Sequence, residues 1–141
     1  VPGLRHTPSP LAANPDFIFT GVQRGENLSR HFASADVFCF PSLSETFGNV
    51  TLEAMASGLP AVNAISSGSN SLVIEGETGH LVSARDEAAL AAKLEALVTD
   101  EALRRRMGEK ARARALTFSW DAILSGLLRS YHQVLREAHA R

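Results

Sequence analysis

The chain has 141 residues, 45% of them hydrophobic, and a formal net charge of -1, which fits one ordinary domain with a real core and excludes a chain that is disordered throughout. Charge is uneven along it: five Lys and Arg against eleven Asp and Glu precede Glu101, and nine against four follow from Glu101 onward. The basic end is helical and periodic, so it reads as a solvated helix face rather than a nucleic-acid or membrane patch, and no apolar run reaches the roughly 18 to 20 residues of a membrane span.

Val1 to Pro15 is rich in proline, and Thr7-Pro8-Ser9-Pro10 forbids a regular helix there. The stretch is expected to be an irregular lead-in with at most one turn around Leu11-Ala12-Ala13. Asp16-Phe17-Ile18-Phe19-Thr20 predicts a short apolar strand ending at Gly21. Glu26 to Ala35 places Leu28 and Phe32 four apart, as a helix with one buried stripe does. Val37-Phe38-Cys39-Phe40 is apolar at every position, which predicts a central parallel strand covered on both faces. Cys39, the single cysteine, has no disulfide partner; it is expected in the core of a protein from a reducing, cytoplasmic compartment. No signal-peptide pattern opens the chain. Val1-Pro2-Gly3 reads as the middle of a longer sequence, so a cropped domain is expected.

Asn49 to Ser57 predicts a helix stopped by Gly58, with Pro60 just beyond. Ala61 to Ala64 is a further strand, Ile65 to Ser71 a flexible polar loop, and Gly76 to Gly79 a turn into a small strand at His80-Leu81-Val82. Leu72-Val73-Ile74 is too short to assign. Asp86 to Val98 is a helix with Leu90, Leu94 and Leu97 inward; Glu101 to Leu116 is another, with Leu103, Met107, Ala111 and Ala115 at steps of four. From Trp120 to about Ala138, apolar residues recur at threes and fours, so this last helix carries a stripe that needs a partner, and Trp120 and Tyr131 read as core. Strand and helix alternate from Asp16 to Val98, which predicts right-handed βαβ units: an α/β, Rossmann-like parallel sheet flanked by helices.

The chemistry concentrates between Ser42 and Pro60. A strand leads into a polar loop containing Glu45, then into a helix that carries Glu53, so a carboxylate stands on either side of a helix mouth. Helix N-termini leave amides unpaired and carry partial positive charge, which lets Gly48, Asn49 and Val50 face a phosphate. Taken alone, a glutamate before a helix is more often a cap or a solvated charge. Phe47 reads equally well as packing or ligand contact, Arg24 as surface, and Gly58 as structural. The five histidines show neither metal spacing nor a nucleophile's company.

Glu45 and Glu53, separated by seven residues within Glu45-Thr46-Phe47-Gly48-Asn49-Val50-Thr51-Leu52-Glu53-Ala54-Met55-Ala56-Ser57-Gly58-Leu59-Pro60, resemble the E-x7-E signature of retaining glycosyltransferases of family 4. The flanking Phe19-Thr20-Gly21, Ala35-Asp36-Val37, Phe40-Pro41-Ser42, Gly76-Glu77-Thr78-Gly79-His80-Leu81-Val82 and Phe118-Ser119-Trp120 agree with it. The resemblance covers Asp16 to the C-terminus. It implies the C-terminal, donor-binding half of a two-domain GT-B enzyme, N-terminally truncated, divided as an irregular lead-in (1–15), a nucleotide-sugar domain (16–119) and a terminal helix (120–141). A hexosyl group would pass from a UDP- or GDP-sugar to an unknown acceptor with retention of configuration and without a metal or other cofactor. The N-terminal acceptor domain, with any peripheral membrane contact it makes, would be missing. No nucleic-acid partner is expected.

By the same resemblance Glu45 is the catalytic carboxylate at the reacting sugar, either nucleophile or sugar holder. Phe47, Gly48, Asn49, Val50 and Thr51 line the sugar and diphosphate, Glu53 takes both ribose hydroxyls, and Val22, Gln23 and Arg24 lie near the base. One departure stands out: where the family has a Gly-Gly pair and a glutamate three residues on, this sequence has Ser67, Gly68 and Ser71. The last helix of the family reaches toward the first domain, so here its apolar face is expected to be exposed and to self-associate. The alternatives are a truncated, catalytically silent nucleotide-binding module and a dinucleotide-binding dehydrogenase domain. The second is disfavoured because no G-x-G-x-x-G follows a strand.

Overall fold

The computed structural model describes residues 14–139. Three parallel strands form one sheet in the order β1 (Phe38–Phe40), β2 (Ala61–Ala64), β3 (Gly79–Val82). The register sets Phe38 beside Ala61 and Ala61 beside Gly79. Around the sheet lie α1 (Gly25–Ala33), α2 (Asn49–Ala56), α3 (Ser67–Leu72), α4 (Glu87–Thr99) and α5 (Glu101–Ala115), and α6 (Trp120–His139) follows with its apolar stripe exposed. Asp86 and Asp100 start α4 and α5 by accepting the Ala89 and Leu103 amides at 2.9 and 2.8 Å, the ordinary N-cap use of an aspartate.

Every residue of β2 is buried, because the pleat sends successive side chains to opposite faces and both faces are covered. Ala61 joins Met55, Leu72, Val73, Ala111 and Ala115 on one side, while Val62 joins Val82, Leu97 and Met107 on the other. A third cluster, Phe32, Ala54 and Leu59, seats α1 on α2. Phe38 reaches it edge-on, with ring centroids 6.0 Å from those of Phe32. Among the described residues no helix is long and apolar enough to cross a membrane.

Five expectations are corrected, and one lies out of reach. The turn expected around Leu11-Ala12-Ala13 lies outside the described residues. Residues 16–20 form no strand: Phe17, Ile18 and Phe19 are exposed, and no described strand runs beside them to complete a ladder, without which extended backbone does not count as sheet. β1 is an edge of the described sheet rather than its centre, because β2 takes that place with neighbours on both sides. Cys39 is accordingly exposed, not core; what burial it has pushes its thiol pKa up. Residues 67–72 form α3 instead of a flexible loop, because Ser66 and Ser69 close a reciprocal capping box in which serine does at N3 what glutamate usually does. Trp120 and Tyr131 are 77% and 60% exposed rather than core.

Two glycines in helices make opposite predictions. A Cβ on Gly108 would lie 2.2 Å from the Gly58 carbonyl oxygen, whereas one on Gly126 would meet only the end of Arg129 at 3.7 Å. Alanine in a helix interior gains about 1 kcal/mol over glycine, but overpacking against backbone costs about 1–3 kcal/mol or more. Gly108→Ala should therefore lower the denaturant midpoint and Gly126→Ala should raise it. Equal shifts in urea melts would refute the close α2–α5 approach.

The turn before β3 supplies a second test. Burial acts to raise the Glu75 pKa, but contacts from His80 Nδ1 at 2.9 Å, the Leu81 amide at 2.6 Å and Lys93 Nζ at 3.2 Å outweigh it and hold the carboxyl below its ordinary value. A depressed folded-state pKa stabilises the fold above the unfolded-state pKa, and that contribution is lost as pH falls through the folded value. Glu75→Gln should thus be less stable than wild type at neutral pH, and the gap should close in acid. A gap that stays constant with pH counts against the network.

Candidate functional site

Beyond β1 the chain turns through 41–48 and enters α2 at Gly48, whose φ of 94° is a left-handed conformation that glycine adopts without strain. No side chain caps α2, so its first-turn amides are left for another acceptor. Glu45 is half-buried beside them. Its Oε1 accepts the Gly48 amide at 3.0 Å, and its carbonyl accepts the Gly68 amide at 3.0 Å. The isolated-glutamate reading is therefore partly realised: Glu45 holds its own loop while keeping a second carboxylate oxygen.

The other candidates fall into distinct environments. Phe47 is 43% exposed at the mouth. The Asn49 side chain is exposed, and Val50 packs against the cluster of Phe32, Ala54 and Leu59. Thr51 is fully buried, its hydroxyl accepting Asn63 Nδ2 at 2.8 Å. Val50 and Thr51 can thus offer amides to a ligand, but their side chains belong to the core.

Glu53, one turn further, is exposed and lines an open cleft of about 620 Å³ between α1 and α2, together with Gly25, Ser29, Phe32 and Arg112. Glu45 does not line this cleft, so the two acids serve different parts of the surface. Val22, Gln23 and Arg24 stand beside the Gly25 end of the cleft without lining it; Arg24 is the N-cap residue of α1, and the Gln23 amide turns back to the Thr20 carbonyl. Sequence reading missed Arg112. It lies in α5, where spacing showed only a basic face, and its place in the same cleft as Glu53 is a product of tertiary packing.

These features define a Rossmann-like domain of the GT-B class. The model for group 1 glycosyl transferases matches residues 10–114, and the chain belongs to that family. A D-inositol 3-phosphate glycosyltransferase of Nocardia farcinica is 42% identical over 86% of this chain and 27% of its own length. Sulfoquinovosyl transferase SQD2 of Arabidopsis thaliana is 42% identical over 74% and 21% respectively. Among solved structures, sucrose-phosphate synthase of Thermosynechococcus elongatus superposes with a TM-score of 0.67 at 35% identity, covering 76% of this chain and 27% of that one. HepE of Anabaena, in complex with UDP and glucose, does so at 0.64 and 25% identity, covering 81% and 30%. This chain spans roughly a quarter of the length of the curated relatives it matches.

The Thr51–Asn63 bond ties the first turn of α2 to β2, and Asn63 Oδ1 has no protein partner. Thr51→Val leaves a buried amide without any partner, at a cost of about 1–3 kcal/mol. Pairing it with Asn63→Val removes both polar groups. The double variant should be more stable than Thr51→Val alone; equal or lower stability in chemical denaturation would deny the coupling.

Proposed function

We propose that this chain is the donor-binding part of a retaining glycosyltransferase, holding a UDP- or GDP-hexose for transfer to an acceptor in the cytoplasm. The single observation that carries the reading is the pair of carboxylates flanking the uncapped start of α2, one tethered and half-buried at Glu45, one exposed in a cleft at Glu53. The complex of HepE with UDP and glucose, at 25% identity, supports a nucleotide-sugar as the ligand.

A diphosphate leaving without a metal needs positive potential from the protein, and a helix start with unpaired amides supplies it. In this reading the amides of Asn49, Val50 and Thr51 face the diphosphate, Gly48, whose own amide donates to Glu45 Oε1, lets it come close, and Phe47 borders the sugar. Glu45 directs its remaining carboxylate oxygen to the sugar near the reacting carbon. Glu53, whose carboxylate has room for two hydroxyl donors, takes the ribose. Val22, Gln23 and Arg24, at the near end of the cleft, border the base. In this scheme the donor domain spans 16–119, between the N-terminal segment 1–15 and the C-terminal segment 120–141 that carries α6.

Titration with UDP, GDP and NAD by calorimetry tests the reading. One of the two nucleoside diphosphates should bind, NAD should not, and a chelator should leave the affinity unchanged. Glu53→Ala should weaken that binding by about 1–3 kcal/mol, roughly 5- to 150-fold in Kd, as expected for bonds to a charged group. Unaltered affinity in Glu53→Ala would remove the ribose role, and loss of affinity with the chelator would remove the metal-free scheme. Nucleotide binding without transfer from a labelled donor would favour the silent-module alternative.

A further inference from the structure

α3 is short, but it is fastened on three sides. Ser69 Oγ donates to the Ala64 carbonyl at 2.8 Å, the Ser66–Ser69 capping box closes its first turn, and Arg114 reaches the Ser71 carbonyl at 2.7 Å and the Leu72 carbonyl beside it. Against this fixed piece lies the Glu45 loop. A Cβ on Gly68 would stand 2.7 Å from the Phe47 carbonyl carbon and 3.0 Å from both Glu45 Cγ and the Glu45 carbonyl oxygen. Two of those atoms are backbone, which cannot swing aside as a side-chain tip can. From the other side, a Cβ on Gly48 would lie 2.8 Å from Leu72 Cδ1.

Gly68 is not among the glycines with positive φ, so no unusual backbone conformation demands it. Inside a helix glycine is a net loss against alanine of about 1 kcal/mol. The only requirement visible here is space for the loop. Its amide, already bonded to the Glu45 carbonyl at 3.0 Å, is occupied by the loop rather than offered to a phosphate.

We infer that Gly68 is a positioning residue for Glu45: its missing side chain and its amide together let the 45–48 loop lie on α3, and so aim the Glu45 carboxylate at the mouth of α2. The inference rests on the donor-site reading of Glu45 for its consequence in sugar binding, but its geometric half can be measured in the free protein. The Gly48 amide, which donates to Glu45 Oε1, reports the loop; the Leu52 amide, which donates to the Gly48 carbonyl at 2.9 Å, reports α2 itself.

The test is Gly68→Ala in the full 141-residue chain. By NMR hydrogen exchange, the Gly48 amide should exchange roughly tenfold faster or more, while Leu52 keeps its protection. By calorimetry, with UDP and UDP-glucose or their guanine counterparts, whichever pair wild type binds, the free diphosphate should keep its Kd within about twofold. The extra affinity conferred by the sugar should fall roughly tenfold. Unchanged Gly48 exchange, an intact sugar increment, or equal weakening of both ligands overturns the inference, the last because it marks a general structural role. If wild type binds neither pair, the donor-site reading has failed and the exchange result alone decides positioning. Should Gly68→Ala not fold, Ser69→Ala, which loosens α3 from β2 without adding atoms against the loop, should give the same shifts at smaller size and is judged by the same outcomes.

Discussion

Three arginines of α5 hold the domain together by their hold on carbonyls at the ends of three other helices. Arg112 donates to the carbonyl of Ala56, the last residue of α2; Arg114 to those of Ser71 and Leu72, the last two of α3; Arg104 to those of Leu97 and Val98 near the end of α4, at 2.9 and 3.2 Å. Helix C-termini carry unpaired carbonyls and partial negative charge, so a guanidinium there satisfies acceptors and dipole at once. The basic excess of the C-terminal part of the sequence is in this respect structural.

The consequence for the site follows from geometry. With their C-terminal ends tied to α5, and with Gly108 letting the Gly58 carbonyl approach closely, α2 and α3 have fixed starts, and the Glu45 loop bridges those two starts. Glu45 is bonded to both, through Gly48 and Gly68. Glu53 has a different status: it is exposed, and its cleft is open. A carboxylate tethered by one amide, that of Gly48, and one left to solvent suit different tasks, the first to hold a direction and the second to exchange water for other hydroxyls at little reorganisation cost.

Much of this was legible in sequence where one local rule determines the outcome. β2 was read at its observed limits from a short apolar run between Pro60 and a polar stretch, and α2 to within a residue from the glycines at its two ends. α3 was not legible, because Ser, Gly and Asn are the residues of turns as much as of caps; only the reciprocal bond between Ser66 and Ser69 distinguishes the two. Residues 16–20 and Cys39 misled for a common reason. An apolar strand-like run reports what a segment can bury, whereas burial depends on neighbours that periodicity does not describe. At the candidate site the pattern points to Glu45 and Glu53, but the seat provided by Gly68 and the presence of Arg112 in the cleft come from packing between distant parts of the chain.

α6 separates potential from realised burial most clearly. Its pattern is the easiest in the sequence to read, yet Trp120, Ile123, Leu124, Leu127, Leu128, Tyr131, Val134 and Leu135 are each at least 42% exposed. α5 has a far weaker apolar pattern and is nonetheless docked, because Gly108 and Ala111 let backbones come close and its arginines find carbonyls to bind. Complementary shape at the contact, rather than the amount of apolar surface a helix displays, decides which of the two is seated here. The same condition governs the Glu45 loop. Its glutamate is held because a glycine on the facing helix leaves room for it, and that room cannot be seen from the residues on either side of the glutamate.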